Sequence, residues 1–420
     1  MTTRKPADSA VGDRRPAAEL TEEEFAAEAR EWLAEQLAEP RWAALRGRGG
    51  PGSEHEFFAE RLEWNRHLAA HGWTCLGWPV EWGGRGATLG QQVRFHEEYA
   101  LADAPAKVGH LGEELLGPTL LHFGTEAQKQ RFLPRIVEAD ELWAQGYSEP
   151  GAGSDLANVS STARLSEDGS RWIINGQKVW TSLAHLSQWA FVVARTEAGS
   201  QRHRGLSFLL VPLDQPGVTI RPIQQLTGTS EFNEVFFDDA ETDAAHIVGE
   251  PGAGWKVAMA LLEFERGVST LGQQVGFAAE LSRVTEMARA NGADAEPALR
   301  AELTRSWTTL RVMRAHALRT LAERDSSGGN ASVAKLLWAN WHRELGELAM
   351  KVQGTSSLIG PDATSEGEPN DISDPEHLEL DPWQRLFLFT RADTIYGGSN
   401  EIQRNIISER VLGLPREARP

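Results

Sequence analysis

The chain has 420 residues, of which 40% are hydrophobic and 15 are Trp, so it can bury a large core in two or three domains or layers. Its formal net charge of -18 argues against a general nucleic-acid or anionic-membrane surface, since both need basic patches. A few local arginines could still bind a small polyanion. Cys75 is the single cysteine, so the chain cannot form an internal disulfide, and no zinc or other metal site is expected.

Residues 1–20 are polar and rich in Arg, Pro and Ala, which predicts a disordered N-terminal tail. This stretch lacks the apolar core of a secretory signal. Elsewhere no apolar run approaches the roughly 20 residues needed to span a bilayer. A free thiol in a cysteine-poor chain fits a reducing compartment, so we expect a soluble cytoplasmic protein without a membrane span.

Helical patterns dominate the next part of the chain. Thr21 with Glu24 forms a capping-box pattern ahead of apolar residues at helical spacing, and Thr125 with Gln128 repeats that pattern. Residues 21–140 are therefore predicted to form an N-terminal helical domain.

The pattern then changes to short β-rich runs separated by turn residues. Arg171–Trp180 is predicted to be a hairpin, with Asn175 and Gly176 as its turn. The other predicted strands are Trp189–Arg195, Gly205–Val211 and Glu231–Phe237. Residues 141–250 are therefore predicted to form a small antiparallel β domain.

Long helices return after this section. The predicted helices span residues 254–290, 297–324, 330–353 and 382–414, with an acidic loop over 360–381. Four long antiparallel helices indicate a bundle over residues 251–420. The predicted fold class is α+β, in the order helices, β domain and helical bundle.

Four segments carry recognisable motifs: Gly146–Asp155, with the sequence GYSEPGAGSD, Lys178–Ser182, Glu263–Arg266 and Ile395–Arg404. In this order they resemble the motifs of the acyl-CoA dehydrogenase family, and the resemblance covers nearly the whole chain. It implies the same three-part fold, with the middle domain as a β-barrel. It also implies FAD as cofactor and the removal of two hydrogens across the α,β-bond of an acyl thioester.

The residues of the Gly-rich loop are suited to binding a ligand, independently of the family resemblance. Gly151 and Gly153 allow backbone to approach a flat or anionic ligand, and Ser148 and Ser154 offer hydroxyl donors. Taken alone, such a loop is as readily an ordinary turn. The resemblance implies that Tyr147, Ser148, Gly153 and Ser154 line the flavin or the thioester carrier. A nicotinamide site is not indicated, since no Gly-x-Gly-x-x-Gly follows a strand.

The segment Trp180, Thr181 and Ser182 resembles the part of the family that packs an aromatic ring and a hydroxyl against the flavin. In a chain with 15 Trp, any one Trp is more often a core residue, and its place in the motif is what favours the flavin role. By the same resemblance, Ser399 and Glu401 lie near the nucleotide portion of FAD.

The resemblance also implies flavin contacts across a subunit interface. Arg289 is the counterpart of an arginine that reaches a neighbouring flavin, and Gln353 and Gly354 stand in the stretch that replaces a Gln-x-x-Gly-Gly motif. The third bundle helix is apolar over a wide arc, which needs burial beyond one neighbour. The apolar residues are Leu336, Leu337, Trp338 and Trp341. A homotetramer, or at least a dimer, is expected.

The catalytic carboxylate is absent from its commonest position. Many family members carry Glu directly after the Tyr of the last motif, where this chain has Gly397 after Tyr396. Glu265, next to Arg266, resembles the branch whose base lies on the preceding helix, as in long-chain and isovaleryl-type members. Glu263 is two residues away and diverges from Glu265 by roughly 200° on a helix, so both cannot enter one site. An ion-paired surface role for Glu265 is the ordinary alternative.

For these residues the family resemblance implies a defined mechanism. Glu265 would take the α-proton, with its pKa raised by desolvation, and flavin N5 would accept the β-hydride. The backbone N–H of Gly397 would stabilise the thioester oxygen. Arg266, Glu263, Tyr396 and Ser154 are expected to contact the substrate or order its site. An electron-transfer flavoprotein or a similar acceptor would reoxidise the flavin.

Two alternatives belong to other classes of protein. One is a flavin monooxygenase or nitroalkane-oxidase-like enzyme on the same fold, which rapid reoxidation of the flavin by oxygen would favour. The other is a non-catalytic subunit of a hetero-oligomeric dehydrogenase, which weak flavin retention by the chain alone would favour.

Overall fold

The computed structural model describes residues 15–50, 52–264, 269–323, 329–360 and 380–416. The chain divides into two compact units. The first holds the chain to Gln224 and Ser230–Val268, and the second holds Gln225–Thr229 and the chain from Ser269. None of the helices in the described ranges combines the length and the apolar character that crossing a bilayer requires.

The first unit begins with helices. They are α1 Glu22–Gln36, α2 Pro40–Ala43, α3 Phe58–Ala70, α4 Leu89–Leu101, α5 Gly117–Phe123 and α6 Glu126–Val137, with a π-helical turn at Leu111–Leu116. Both predicted capping boxes are present, at Thr21 and at Thr125. The ordered chain starts before Thr21, because Ala17 and Leu20 are buried in the same core as Trp64 and Trp73.

The strands of the first unit form one sheet. They are β1 Trp143–Gly146, β2 Thr162–Leu165, β3 Arg171–Ser182, β4 Trp189–Arg195, β5 Leu206–Pro212, β6 Val218–Ile223, β7 Phe232–Asp243 and β8 Ile247–Val248. The order is β6-β7-β3-β2-β4-β5-β8, and β1 pairs with β4. The neighbours are antiparallel as predicted, except that β1 and β2 run parallel to β4.

The predicted hairpin turn at Asn175 and Gly176 is wrong. Both residues lie inside β3, which pairs with β7 along its length and shifts register between Ile174 and Gly176. Gly176 has φ +146°, and a Cβ there would collide with Ser161. The dipeptide that signals a tight turn therefore marks a β-bulge here, where only glycine fits. The reversal into β3 lies earlier, between β2 and β3, where Asp168 accepts hydrogen bonds from Ser170.

The first helix after the sheet, α7 Gly254–Phe264, belongs to the first unit. Its residues Val257, Ala258 and Leu261 are buried in the core that contains Phe208 of β5. The predicted helix over 254–290 thus corresponds to two observed helices, α7 and α8 Ser269–Asn291. Residues 265–268, between them, lie outside the described residues.

The second unit is built from long helices around a shared core. They are α8, α9 Pro297–Glu323 and α10 Gly329–Gln353, followed by α11 Pro382–Phe389 and α12 Asn400–Ile406. The core includes Phe277, Met313 and Trp341. The predicted long helix over 382–414 is wrong, because Gly397 and Gly398 adopt φ +62° and +86° and end regular helix between α11 and α12.

Candidate functional site

A buried lysine joins the Gly-rich loop to β3. Lys178 is fully buried, and its Nζ lies 2.8 Å from Glu149 Oε1. The same ammonium donates to the carbonyl oxygens of Tyr147 at 3.2 Å and of Val193 on β4 at 2.7 Å. The backbone continues the attachment, since Val179 N donates to Ser148 O at 2.9 Å. The structure therefore brings together two motifs that are separated by more than twenty residues in the sequence.

The Glu149 carboxylate is the other half of this attachment. Its Oε2 accepts from the N and Oγ of Ser160, both at 2.7 Å, and its Oε1 accepts from Ser161 N at 3.0 Å. Burial by itself would raise the pKa of Glu149, but the Lys178 ammonium and the serine donors outweigh burial and lower the pKa to about 2. The carboxylate is therefore ionised, and the loop is fixed to the strands on both sides.

Trp180 follows Lys178 by two residues on β3, beside the clamp formed by Lys178 and Glu149, and its backbone conformation is unusual. Its φ is +59°, in the left-handed region, and β3 shifts register against β7 between Lys178 and Thr181. A bulky aromatic residue there is strained by roughly 1–3 kcal/mol, which structures tolerate mainly at functional sites. The indole is 59% exposed, although its edge contacts Phe232. The bulge presents a large aromatic face outward where regular pleating would not.

The neighbours of Trp180 place hydroxyl groups at the same bulge. Thr181 is buried, and its Oγ1 has no hydrogen-bond partner among the residues that the structure describes. Ser182 is half-buried and pairs with Phe232 across the strands. An unpaired buried hydroxyl costs free energy, so the Thr181 hydroxyl is available to hydrogen-bond a bound molecule.

The tip of the Gly-rich loop is open. Glu149 and Ala152 exchange backbone hydrogen bonds across a tight turn, with Gly151 inside it and Gly153 after it. A Cβ built at either glycine meets nothing within 4 Å, and Ser154 is exposed. The loop therefore leaves room for a planar or anionic ligand to approach the backbone, and its binding role stays a prediction. Tyr147 at the start of the loop is buried against Phe191 and Phe208.

In the second unit, the last motif forms a turn between α11 and α12. Gln403 Nε2 donates to the carbonyl oxygens of Gly397 at 3.1 Å and of Gly398 at 3.2 Å. Ser399 is the N-cap of α12, and its Oγ accepts from Ile402 N. Gly397 is exposed, and within the described residues its N–H donates to no acceptor.

The other predicted cofactor residues are scattered over the second unit. Arg289 is exposed in the last turn of α8. Gln353 ends α10 and donates to Asp381 at 2.7 Å, and Gly354 follows with φ +67°. Glu401 is exposed and pairs with Arg404. The structure leaves a flavin role for these residues as a prediction.

The predicted catalytic base, Glu265, is not among the residues that the structure describes. Glu265 and Arg266 lie outside the described residues, and Glu263 lies in the last turn of α7. Their roles stay predictions.

Sequence reasoning missed several of the buried charged residues that the structure describes. Glu149 and Lys178 lay inside quoted motifs but were given no role, and His342 and Asp393 were not considered. A lysine in phase with the apolar positions of a strand, as Lys178 is with Trp172 and Ile174 in β3, is a usable signal because a buried lysine must be paired.

Comparison with known proteins agrees with this architecture. The acyl-CoA dehydrogenase N-terminal domain matches residues 19–140, the middle domain matches 144–240 and the C-terminal domain matches 252–412. The chain therefore belongs to the acyl-CoA dehydrogenase family and is an oxidoreductase. The predicted family and fold class are confirmed.

The chain is similar over nearly its full length to individual members of the family. It is 65% identical to "Acyl-CoA dehydrogenase IpdE1" of Mycobacterium tuberculosis (strain ATCC 25618 / H37Rv), over 94% of this chain and 99% of that protein. It is 62% identical to the protein of the same name from Mycolicibacterium smegmatis, with the same coverage. These relatives favour neither the monooxygenase nor the non-catalytic alternative.

The chain is also similar in fold to solved structures. The "Tcur3481-Tcur3483 steroid ACAD" superposes with a TM-score of 0.78 at 28% identity, covering 96% of this chain and 99% of that chain. The ChsE4-ChsE5 complex from Mycobacterium tuberculosis gives a TM-score of 0.75 at 30% identity, covering 94% and 98%.

Proposed function

We propose that the protein is an FAD-dependent dehydrogenase that oxidises the α,β-bond of an acyl-CoA thioester. The observation that carries the proposal is the clamp of Lys178 and Glu149, which fixes the Gly-rich loop beside the bulged strand with Trp180. The names of the two most similar relatives described above support acyl-CoA as the substrate class. An acyl carrier protein in place of coenzyme A is the alternative carrier.

The residues of the first unit fit a flavin. An exposed indole on a strained bulge, a buried hydroxyl without a partner and a loop open at two glycines are suited to a large planar ligand with a polar edge. Trp180, Thr181 and Ser182 would hold the ring, and Tyr147, Ser148, Gly153 and Ser154 would line the ring or the thioester. When bound, FAD would supply the hydride acceptor for the β-carbon. The roles of Arg289, Gln353, Gly354, Ser399 and Glu401 toward a flavin belong to the same proposal.

Glu265 is the proposed α-proton base. The supporting observation is Gly397, which has no side chain to take a proton at the position many family members use. The Gly397 N–H would donate to the thioester oxygen as negative charge develops there. Arg266 would order the site, and Glu263, Tyr396 and Ser154 would contact the acyl thioester.

Assembly is also part of the proposal. We infer an oligomer formed through the second unit, since this unit exposes large apolar side chains that a monomer would leave in water. They include Leu358, Ile395 and Leu412, each more than 60% exposed. The sequence predicts a homotetramer or a dimer, whereas the names of the two solved structures pair different proteins, which makes a heteromer the competing arrangement. Light scattering of the FAD-saturated chain separates them, because a homo-oligomer should have the mass of two or four copies of this chain without any partner. An active monomer would contradict both arrangements.

The proposed activity is tested by flavin content and anaerobic bleaching. The purified chain should carry one FAD, and a panel of straight-chain, branched and polycyclic acyl-CoA thioesters should contain one that bleaches its absorbance. The polycyclic thioesters are included because of the steroid named for one similar structure. Trp180→Ala should weaken FAD binding and alter the flavin spectrum. A colourless protein that FAD cannot reconstitute would refute the proposal. Electron-transfer flavoprotein should reoxidise the reduced enzyme faster than oxygen does.

A further inference from the structure

The turn that carries Gly397 is tied to α10 through one buried aspartate. Asp393 is fully buried, and its Oδ2 lies 2.7 Å from His342 Nδ1. Its Oδ1 accepts from Tyr396 Oη at 2.7 Å, and its backbone oxygen accepts from Lys335 Nζ at 2.6 Å. Three separate groups therefore fix the backbone and side chain of Asp393, three residues before Tyr396.

Both cations at this aspartate come from one face of α10. Lys335 and His342 are seven residues apart, close to two helical turns, and they are 8% and 6% exposed. His342 also contacts Glu280 of α8 at 3.0 Å. Burial lowers the pKa of His342, but hydrogen bonds to Asp393 and Glu280 outweigh burial and raise it to about 9. The cluster thus holds two buried cations against Asp393, His342 at its carboxylate and Lys335 at its backbone oxygen. Buried charges of this kind add little net stability compared with apolar packing and are retained where position matters.

The lysine ammonium also lies next to Gly397. A Cβ at Gly397 would be 3.7 Å from Lys335 Nζ. Since a Cβ is about 2.5 Å from its own backbone nitrogen, Nζ is no more than about 6 Å from the Gly397 nitrogen. The ammonium lies 3.9 Å from the ring centre of Trp338 and 4.5 Å from that of Tyr396. Because Lys335 itself is buried, its charge is less screened than that of a surface lysine.

We propose that Lys335 is a positioning residue for the dehydrogenation: it holds the Tyr396–Gly397 turn through Asp393 and supplies positive potential where the thioester oxygen becomes negative. This inference rests on the function proposed above, in which the Gly397 N–H faces that oxygen. A fixed cation in a poorly hydrated place stabilises an enolate more than the neutral thioester. Lys335 therefore favours loss of the α-proton without touching it.

The same charge explains why a carboxylate base is unfavourable at position 397. A glutamate there would start within ion-pair reach of Lys335 and would have its pKa lowered, which makes it a poorer base. It would also have to adopt the left-handed φ of +62° that Gly397 has. The position of Lys335 is therefore consistent with a catalytic base at Glu265 instead of at position 397.

The test uses acetoacetyl-CoA, a thioester that ionises to an enolate whose ultraviolet absorbance can be titrated against pH. Bound to the FAD-loaded wild type, its pKa should be lower than that of the free thioester. Lys335→Met should raise the bound ligand's pKa by at least about one unit, a tenfold loss for the enolate. The neutral thioester should lose little affinity, and kcat for the substrate should fall more than KM rises.

Two further variants separate charge from structure. Lys351→Met makes the same substitution on an exposed lysine of α10, which pairs with Glu302, and should leave the ligand's pKa unchanged. Lys335→Gln keeps a donor for the Asp393 carbonyl but no charge, so it should raise the ligand's pKa even if Lys335→Met does not fold. If the wild type acidifies the bound thioester and Lys335→Gln does so equally, the role of Lys335 is refuted while the proposed function stands. If the wild type neither binds acetoacetyl-CoA nor oxidises any acyl-CoA, the proposed function itself has failed.

Discussion

The buried pair of Lys178 and Glu149 predicts a specific response to neutralising one partner. Glu149→Gln preserves the size of the side chain but removes its charge, so the Lys178 ammonium, which is fully buried, keeps only neutral oxygen acceptors such as the carbonyl oxygens of Tyr147 and Val193. Removing one partner of a buried pair costs about 3–5 kcal/mol, because the other charge stays desolvated. At about 2–4 °C per kcal/mol for a unit of this size, the first unit should unfold about 6–20 °C lower.

A double-mutant cycle distinguishes this cause from a general packing defect. Lys178→Met alone leaves the Glu149 carboxylate with the donors of Ser160 and Ser161, and should also destabilise the unit. The double variant has neither charge of this pair, so it should unfold at a higher temperature than Glu149→Gln alone. The matched control is Glu241→Gln, which breaks the exposed pair with Arg171 and should cost under about 1 kcal/mol. Calorimetry measures all four variants. Additive losses in the cycle, or a Glu149→Gln shift as small as the control, would refute the reasoning.

Four further predictions concern pH and the flavin site. Because the pKa of Glu149 is lowered from 4.5 to about 2, its contribution to stability is present above pH 4.5 and is lost as pH falls toward 2, so acid unfolding of Glu149→Gln should show a weaker pH dependence in that window. Because the pKa of His342 is raised from 6.5 to about 9, its contribution is full below pH 6.5 and is lost as pH rises toward 9, and melting temperatures of His342→Gln should lack that decline. Trp180→Gly relieves the left-handed backbone while losing the Phe232 contact, so calorimetry should show a change within about 1 kcal/mol while FAD titration shows weaker binding. Thr181→Val should leave the melting temperature of the FAD-free chain unchanged or slightly raised, yet lower FAD affinity; equal FAD affinity would remove Thr181 from the site.

Much of the fold could be predicted because its local signals agree with the tertiary structure. Thr21 and Thr125 cap helices as their sequence pattern indicates, and β4 Trp189–Arg195 has the predicted bounds. The error at Asn175 and Gly176 arose because a tight turn and a β-bulge need the same residue, one that accepts a positive φ. Only the neighbouring strand β2, with Ser161 just before it, decides between them. The sequence alone does not show that Ser161 and β2 pack beside Gly176.

The candidate site was predictable in its motifs but not in the contacts that hold them. Trp180 and the Gly-rich loop were found from sequence, whereas the pairing of Lys178 with Glu149 depends on two strands meeting. The cluster at Asp393 was missed because His342 and Lys335 lie in a helix whose pattern is satisfied by packing alone. The break at Gly397 and Gly398 was missed because two glycines in a long apolar pattern are tolerated often enough to be overlooked.

The central claim is that Glu265 takes the α-proton of an acyl-CoA thioester. The most direct test is the anaerobic rate of flavin bleaching by the best substrate, measured for Glu265→Gln beside Glu263→Gln. Loss of a general base typically slows a reaction by about 10²–10⁴-fold. We expect Glu265→Gln to retain FAD and bind the thioester but to bleach at least that much more slowly, and Glu263→Gln to keep most of the rate. Bleaching of Glu265→Gln at the wild-type rate would contradict the assignment.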